Sequence, residues 1–220
     1  PISMKTKKVL ILGGGGNASV IGCAMIDAFN KGHRELEFCG YINDRDKVNE
    51  IEGYPVLGGL KDIPELLRRD YYFINAIGKI GVQQERITLI ESLKIPDNRF
   101  VTFIHPSAYV APNVKLGCGC VIMPNVSISP GTCLGKCCRV MIGAVIGHNN
   151  IIGQYCFFAA ASCTGAYISM GDGVFISLNA TIREFIKIGN YSTVGMGAVL
   201  LNSIGENEIW VGNPAKILNK

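Results

Sequence analysis

Three histidines are the whole imidazole stock of this 220-residue chain, and their surroundings differ. His148 sits in Ile146-Gly147-His148-Asn149, and between Arg139 and Asp172 no residue carries a full charge. An outward imidazole there could take a proton from an attacking nucleophile, with a neighbouring side chain fixing its tautomer. His105, in Ile104-His105-Pro106-Ser107, reads as a residue that orients the chain where two kinds of composition meet, and His33, after an apolar stretch, reads as structural. A catalytic zinc takes three protein ligands, so the two histidines after residue 100 do not make the three-histidine site of a zinc hydratase. The nine cysteines contain no CxxC pair. Cys120, Cys138 and Cys156 recur every 18 residues and are expected as small packing residues rather than metal ligands or disulfides. No metal site is therefore expected.

A second chemical feature is Gly13-Gly14-Gly15-Gly16-Asn17, between the strand-like run Lys7-Lys8-Val9-Leu10-Ile11-Leu12 and an apolar stretch of helical spacing from Val20 to Phe29. A glycine turn opening a helix suits an anion. Its fit to a dinucleotide fingerprint is loose, and a tight turn with no ligand is the plain alternative. Further strands are predicted at Glu37–Ile42 and at Tyr72–Ile77, the latter ending on Gly78, with helices at Pro64–Arg69 and Gln83–Leu93. This alternation predicts a small Rossmann-like parallel α/β sheet whose strand ends share one rim.

After residue 102 the construction changes. Residues 1–100 carry 14 Lys or Arg and 13 Asp or Glu, whereas residues 101–220 carry 7 and 4. From Ile104 to Leu200 every sixth residue is large and apolar except Thr164, glycine often follows it, and the fourth residue on is often small. Neither a period of 3.6 nor one of 2 holds that register. A coil built of short strands and corners does, with the leading residues stacked inside and small residues closing the turns. Two domains are expected, 1–102 and 103–220.

The charge-free window is long enough to cross a bilayer, and mean hydropathy is +0.28. A bilayer helix would not repeat every six residues, so the window belongs to the coil, with Asn149, Asn150 and Gln154 expected at its corners. A net charge of +4, scattered, argues for neither nucleic acid nor a membrane surface. Pro1–Ser3 ahead of Met4 are set aside as foreign to the fold. No secretory signal pattern opens the chain, so a cytoplasmic location is expected.

The order of Gly13–Asn17, Gly40-Tyr41-Ile42-Asn43-Asp44, Pro55-Val56-Leu57-Gly58, Ala76-Ile77-Gly78, Ile104-His105-Pro106-Ser107-Ala108, Ile146-Gly147-His148 and Gly212-Asn213-Pro214-Ala215-Lys216 resembles the bacterial nucleotide-sugar N-acetyltransferases and sialic-acid O-acetyltransferases. The resemblance implies a left-handed parallel β-helix of hexapeptide repeats after the α/β domain. It also implies a homotrimer, acetyl-CoA as co-substrate along the groove between two rods, and a nucleotide-activated amino sugar on the N-terminal domain, within bacterial glycan or lipopolysaccharide biosynthesis.

Carried over by position, His148 is the general base and Asn149 its neighbour. Gly15, Gly16 and Asn17 approach the phosphates, Asn43 and Asp44 read the nucleobase, and Gly78 gives it room. Phe157, Gly165, Ala166, Leu178, Gly195 and Met196 fall at positions expected to meet acetyl-CoA. Two positions depart from the family pattern. Asn149 stands where many members have an acid, implying a less basic His148. Phe157 stands where several have a second histidine, which leaves the oxyanion to a backbone N–H near Gly165 or Ala166. The alternatives are O-acetylation of a sugar such as sialic acid and a trimeric binding scaffold of weakened activity.

Overall fold

The computed structural model describes residues 5–44 and 48–218; Pro1–Ser3 lie outside them. In the N-terminal part β1 (Lys7–Leu12) is the middle strand of three, hydrogen-bonded in parallel to β2 (Leu36–Ile42) on one side and β5 (Tyr72–Asn75) on the other. Val9 to Leu12 are wholly buried, as a continuous apolar run between two covering layers must be. Helix α1 (Asn17–Asn30) connects β1 to β2. A hairpin of β3 (Glu50–Ile51) and β4 (Tyr54–Pro55), absent from the sequence reading, then precedes α2 (Ile63–Arg68), and α3 (Gln83–Ser92) follows β5. Strand β5 stops two residues short of the expected Ile77, where the side chain of Asn75 accepts the Ile77 N–H (2.9 Å) and turns the backbone away.

From Phe103 onward the chain winds as a rod of two-residue strands, each paired in parallel with the strand 18 residues on, as Phe103↔Val121 and Val145↔Cys163 show. Three faces result. The first runs through Val121–Ile122, Arg139–Val140, Phe157–Phe158 and Phe175–Ile176, the second through Val145–Ile146 and Cys163–Thr164, and the third through Ile151–Ile152 and Ser169–Met170. At every corner from Gly119 to Gly197 the third residue after the lead has a φ of +55° to +74°. That conformation suits glycine and asparagine and reverses the chain in a tight turn. The rod is a left-handed parallel β-helix of roughly six turns.

The leads Ile122 to Leu200 are buried, each fully buried aliphatic contributing about 1.5–3 kcal/mol. The leads of the first coil are not, Val110 and Leu116 being half-buried and Ile104 44% exposed, because no coil precedes them to stack on. Cys120, Cys138 and Cys156 form the inner column expected of them, and their thiols donate to the carbonyls of Gly135, Gly153 and Gly171 at 3.1–3.2 Å. Burial pushes the Cys138 thiol well up, away from the reactive thiolate. Asn150 is not at a corner as expected. It occupies the inward position four after the lead Ile146 and is fully buried.

The N-terminal layer lies over the first face. α3 touches the edge between the third and first faces, where Gln83 Nε2 donates to Thr193 Oγ1 (2.8 Å), Lys136 pairs with Glu91 (2.8 Å), and the Tyr155 hydroxyl donates to Glu91. α1 touches the opposite edge of that face through His105. The Ser107 N–H donates to Nδ1 (3.2 Å), so Nε2 carries the proton and donates to Asp27 (3.0 Å). His105 is buried and ties rod to helix, the orienting role expected of it. No helix among the described residues is long and apolar enough to cross a membrane.

Candidate functional site

The strand ends of β1, β2 and β5 open into a cleft of about 670 Å³ lined by Gly13, Gly14, Gly15, Asn43, Asp44 and Gly78, with Lys79 and Arg86 on its far wall. Ligands of open parallel sheets settle at this rim. Gly13 has a φ of +136°, and a Cβ at Gly15 would meet nothing within 4 Å, which leaves the backbone of the turn open to a ligand. Gly16 (φ +76°) caps α1, and the first helical N–H groups, from Asn17 on, have no side-chain cap. Those unpaired N–H groups and the basic wall favour an anion. Both Asp44 oxygens accept the Leu60 N–H (3.1 and 3.2 Å), which fixes the carboxylate at the mouth of the cleft.

Gly78 has a second reason to be glycine: a Cβ there would run into Nη2 of Arg139. Arg139 projects outward from the rod's first face and is buried by the N-terminal layer, with its guanidinium 5.0 Å from the Phe157 ring centroid. Phe157 in turn stacks on Phe175 (4.6 Å) and is buried.

His148 lies elsewhere, on the edge between the second and third faces, and is exposed together with Asn149. Its Nδ1 is 2.8 Å from Asn149 Oδ1. An amide oxygen only accepts, so Nδ1 carries the proton and Nε2 keeps the lone pair of a base. Asn149 itself has a φ of 56°, which asparagine tolerates better than most residues. Beneath the corner, Asn150 Nδ2 donates to the carbonyls of Gly147 and Gly165 (both 2.9 Å), and its Oδ1 accepts the Ile168 N–H (2.7 Å). The turn bearing His148 is thereby locked to the coil above it. The next corner on this edge carries Gly165, Ala166 and Tyr167, and the Tyr167 ring meets His148 edge-on at 5.2 Å. Gly165 spends its N–H on the Ile182 carbonyl (2.8 Å), whereas Ala166 has no backbone acceptor among the described residues.

Within one chain, the expected site residues thus fall in separate places. The glycine turn, Asn43, Asp44 and Gly78 share the cleft, with Gly16 and Asn17 just behind it. His148, Asn149, Gly165 and Ala166 share one edge of the rod. Leu178, Gly195 and Met196 lie on the edge between the first and second faces, where Leu178 and Met196 are exposed. Phe157 lies under the N-terminal layer, away from His148. No motif singled out Lys79, Arg86 or Arg139, and Asn150 was expected at a corner rather than as the inward residue that holds the turn. Lys79 beside Gly78 and Arg86 in the first turn of the helix after it were the available signals, and Asn150 stood out as a polar residue in a column of small ones.

Residues 8–90 match the family model of the PglD N-terminal domain. Over 119 residues the chain is 33% identical to the UDP-N-acetylbacillosamine N-acetyltransferase of Bacillus subtilis (strain 168), a match covering 53% of this chain and about half (51%) of that relative. The crystal structure of PerB from Caulobacter crescentus, in complex with CoA and GDP-perosamine, is 27% identical with a TM-score of 0.79 and aligns over 99% of this chain and 100% of that one. The acetyltransferase domain of PglB from Neisseria gonorrhoeae, in complex with acetyl coenzyme A, shares the fold at 23% identity and a TM-score of 0.83, over 97% of this chain and 100% of that one. In its N-terminal domain, its rod and the order in which they follow, the chain is similar to these nucleotide-sugar N-acetyltransferases.

Proposed function

We propose that the protein transfers the acetyl group of acetyl-CoA to the amino group of a nucleotide-linked amino sugar, with His148 as general base. The observation that carries this reading is the presence in one chain of a basic-walled cleft at a strand rim and an outward histidine with Nε2 free. The end-to-end likeness to PerB, described with CoA and GDP-perosamine, supports a CoA thioester and a nucleotide-linked amino sugar as the substrate classes here.

In the proposed reaction the sugar amine attacks the thioester carbonyl while Nε2 of His148 accepts the proton that the nitrogen loses. The carbonyl oxygen becomes an oxyanion, for which the Ala166 N–H is the available donor. Collapse breaks the C–S bond, and the proton passes from the imidazolium to the leaving thiolate, giving the acetamido sugar and CoA thiol. Asn149 orients the ring without adding charge. Leu178, Gly195 and Met196, exposed or at an exposed corner, remain the proposed contacts of the CoA arm.

The cleft lies over the first face and His148 on the edge opposite that face, so a complete site needs the cleft of one subunit beside the histidine of another. This favours the homotrimer. Thiol release from acetyl-CoA with a panel of UDP-, GDP- and dTDP-amino sugars tests the reading. Turnover on one member is expected, with a loss of about 10²–10⁴-fold in kcat for His148→Ala. Equal rates for the two proteins would remove His148 from the mechanism.

A further inference from the structure

Arg139 is 6% exposed, its Nη1 has no hydrogen-bond partner, and no carboxylate lies among the groups that influence it. Burial alone pulls this guanidinium down to about 10. A buried charge without a counter-charge is costly and is not retained for stability. The packing on Phe157 offsets only part of that cost.

The guanidinium borders a crevice of about 30 Å³ between rod and N-terminal layer, whose other walls include Asn75, Gly78, Lys79, Gln83 and Arg86 and no acid. That volume is about one water, or one oxygen of a larger group. The crevice shares Ile77, Gly78, Lys79 and Arg86 with the 670 Å³ cleft, so a group held in the cleft can extend a single oxygen toward Arg139.

We propose that Arg139 is a substrate-binding residue that receives an oxyanion, a phosphate or a carboxylate oxygen of the nucleotide-sugar, through the wall formed by Gly78. The rod then does more than carry the base: it contributes a specificity contact to the cleft of its own N-terminal domain. The ion pair completes only with substrate bound, and a Cβ at Gly78 would displace the guanidinium behind it. This rests on the proposed nucleotide-sugar reading for the identity of the ligand, though not for the existence of the receptor.

The test compares wild type with Arg139→Met, which keeps the stem volume and removes the charge. Binding of inorganic pyrophosphate, UDP, GDP, dTDP, the free nucleosides and UDP-glucuronate is measured by calorimetry without acetyl-CoA. Thermal unfolding of the ligand-free proteins is measured alongside. The expected results are an unliganded Tm raised by about 2–4 °C in the variant and oxyanion binding weakened about 10- to 100-fold, with nucleoside binding unchanged. Dependence on Arg139 for pyrophosphate and the diphosphates assigns it to phosphate, and dependence for UDP-glucuronate alone assigns it to a sugar carboxylate. A lower Tm with unchanged oxyanion binding, or no oxyanion binding by wild type, overturns the proposal. Should Arg139→Met fail to fold, Arg139→Lys keeps the charge and loses the planar fork, and a loss of about 5- to 10-fold is expected; binding equal to wild type overturns it. Wild-type turnover with acetyl-CoA is scored separately, so failure of the acetyl-transfer reading shows as absent thiol release with oxyanion binding intact.

Discussion

Nδ1 of His148 and Oδ1 of Asn149 face each other at 2.8 Å on an exposed corner, and the contact orients the ring without placing a charge beside it. An anion at 149 would favour the imidazolium, so Asn149→Asp is expected to move the acid limb of the kcat/KM profile to higher pH by about one unit. Above that limb the more basic imidazole should turn over at least as fast as wild type. An unmoved limb would separate His148 from the pH-dependent step.

Asn150 is the buried counterpart of that corner. Asn150→Leu keeps most of the volume but leaves the Gly165 carbonyl and the Ile168 N–H without partners inside the rod, while the Gly147 carbonyl keeps the Thr132 hydroxyl. The expected cost is about 2–5 kcal/mol, read from denaturant midpoints. Because the displaced turn bears His148, kcat should fall while KM for the nucleotide-sugar, bound elsewhere, stays near wild type.

Thr164 presents the opposite case. It is the one lead that is not a large apolar residue, it is buried, and its hydroxyl has no partner. Thr164→Val replaces the hydroxyl by a methyl in the same branched shape. A gain of about 1 kcal/mol is expected, seen as a higher Tm with unchanged kinetics.

The rod was legible in the sequence because a six-residue period is imposed on every lead, from Ile104 to Leu200, by stacking one coil on the next. The cleft was legible at Gly13 to Asn17 and at Asp44, because strand ends and glycine turns leave local marks. Arg139 and Phe157 were not legible in the same way. Both sit just before a lead, a position that faces solvent on the other two faces, and only the docking of the N-terminal layer buries them on the first. That docking runs through pairs far apart in the chain, such as His105 with Asp27 and Gln83 with Thr193, which no local spacing announces.

The same docking is sensitive to acid. Lys136, and then the Tyr155 hydroxyl, hold the Glu91 carboxyl below its ordinary 4.5, so the folded state binds that proton less readily than the unfolded chain. Its contribution is fully present above pH 4.5 and is lost as pH falls below that through the lowered folded value. Protection of the α3 amides relative to their intrinsic exchange rate, followed from about pH 6 to about pH 3, should therefore fall more steeply in wild type than in Glu91→Gln, which has nothing there to protonate. Parallel curves would place the acid sensitivity elsewhere, Asp27 beside Lys31 and His105 being the next candidate.

The charge-free window divides into two surfaces. Phe157 and Phe158 are buried within the chain, so a charge at Phe157 would first unseat the N-terminal layer rather than part the subunits. The edge around His148 differs, since Val145, Ile151 and Tyr167 are exposed there, Ile151 at 67%. An apolar edge beside the proposed base, with no intrachain cover, is where a second subunit of the proposed trimer would sit. Ile151→Glu is expected to shift the protein from trimer to monomer in sedimentation and to abolish acetyl transfer, while nucleotide binding in the cleft persists. Lys115→Glu, at the far end of the same face, should alter neither. A trimer that survives Ile151→Glu would move the subunit contact to another face of the rod.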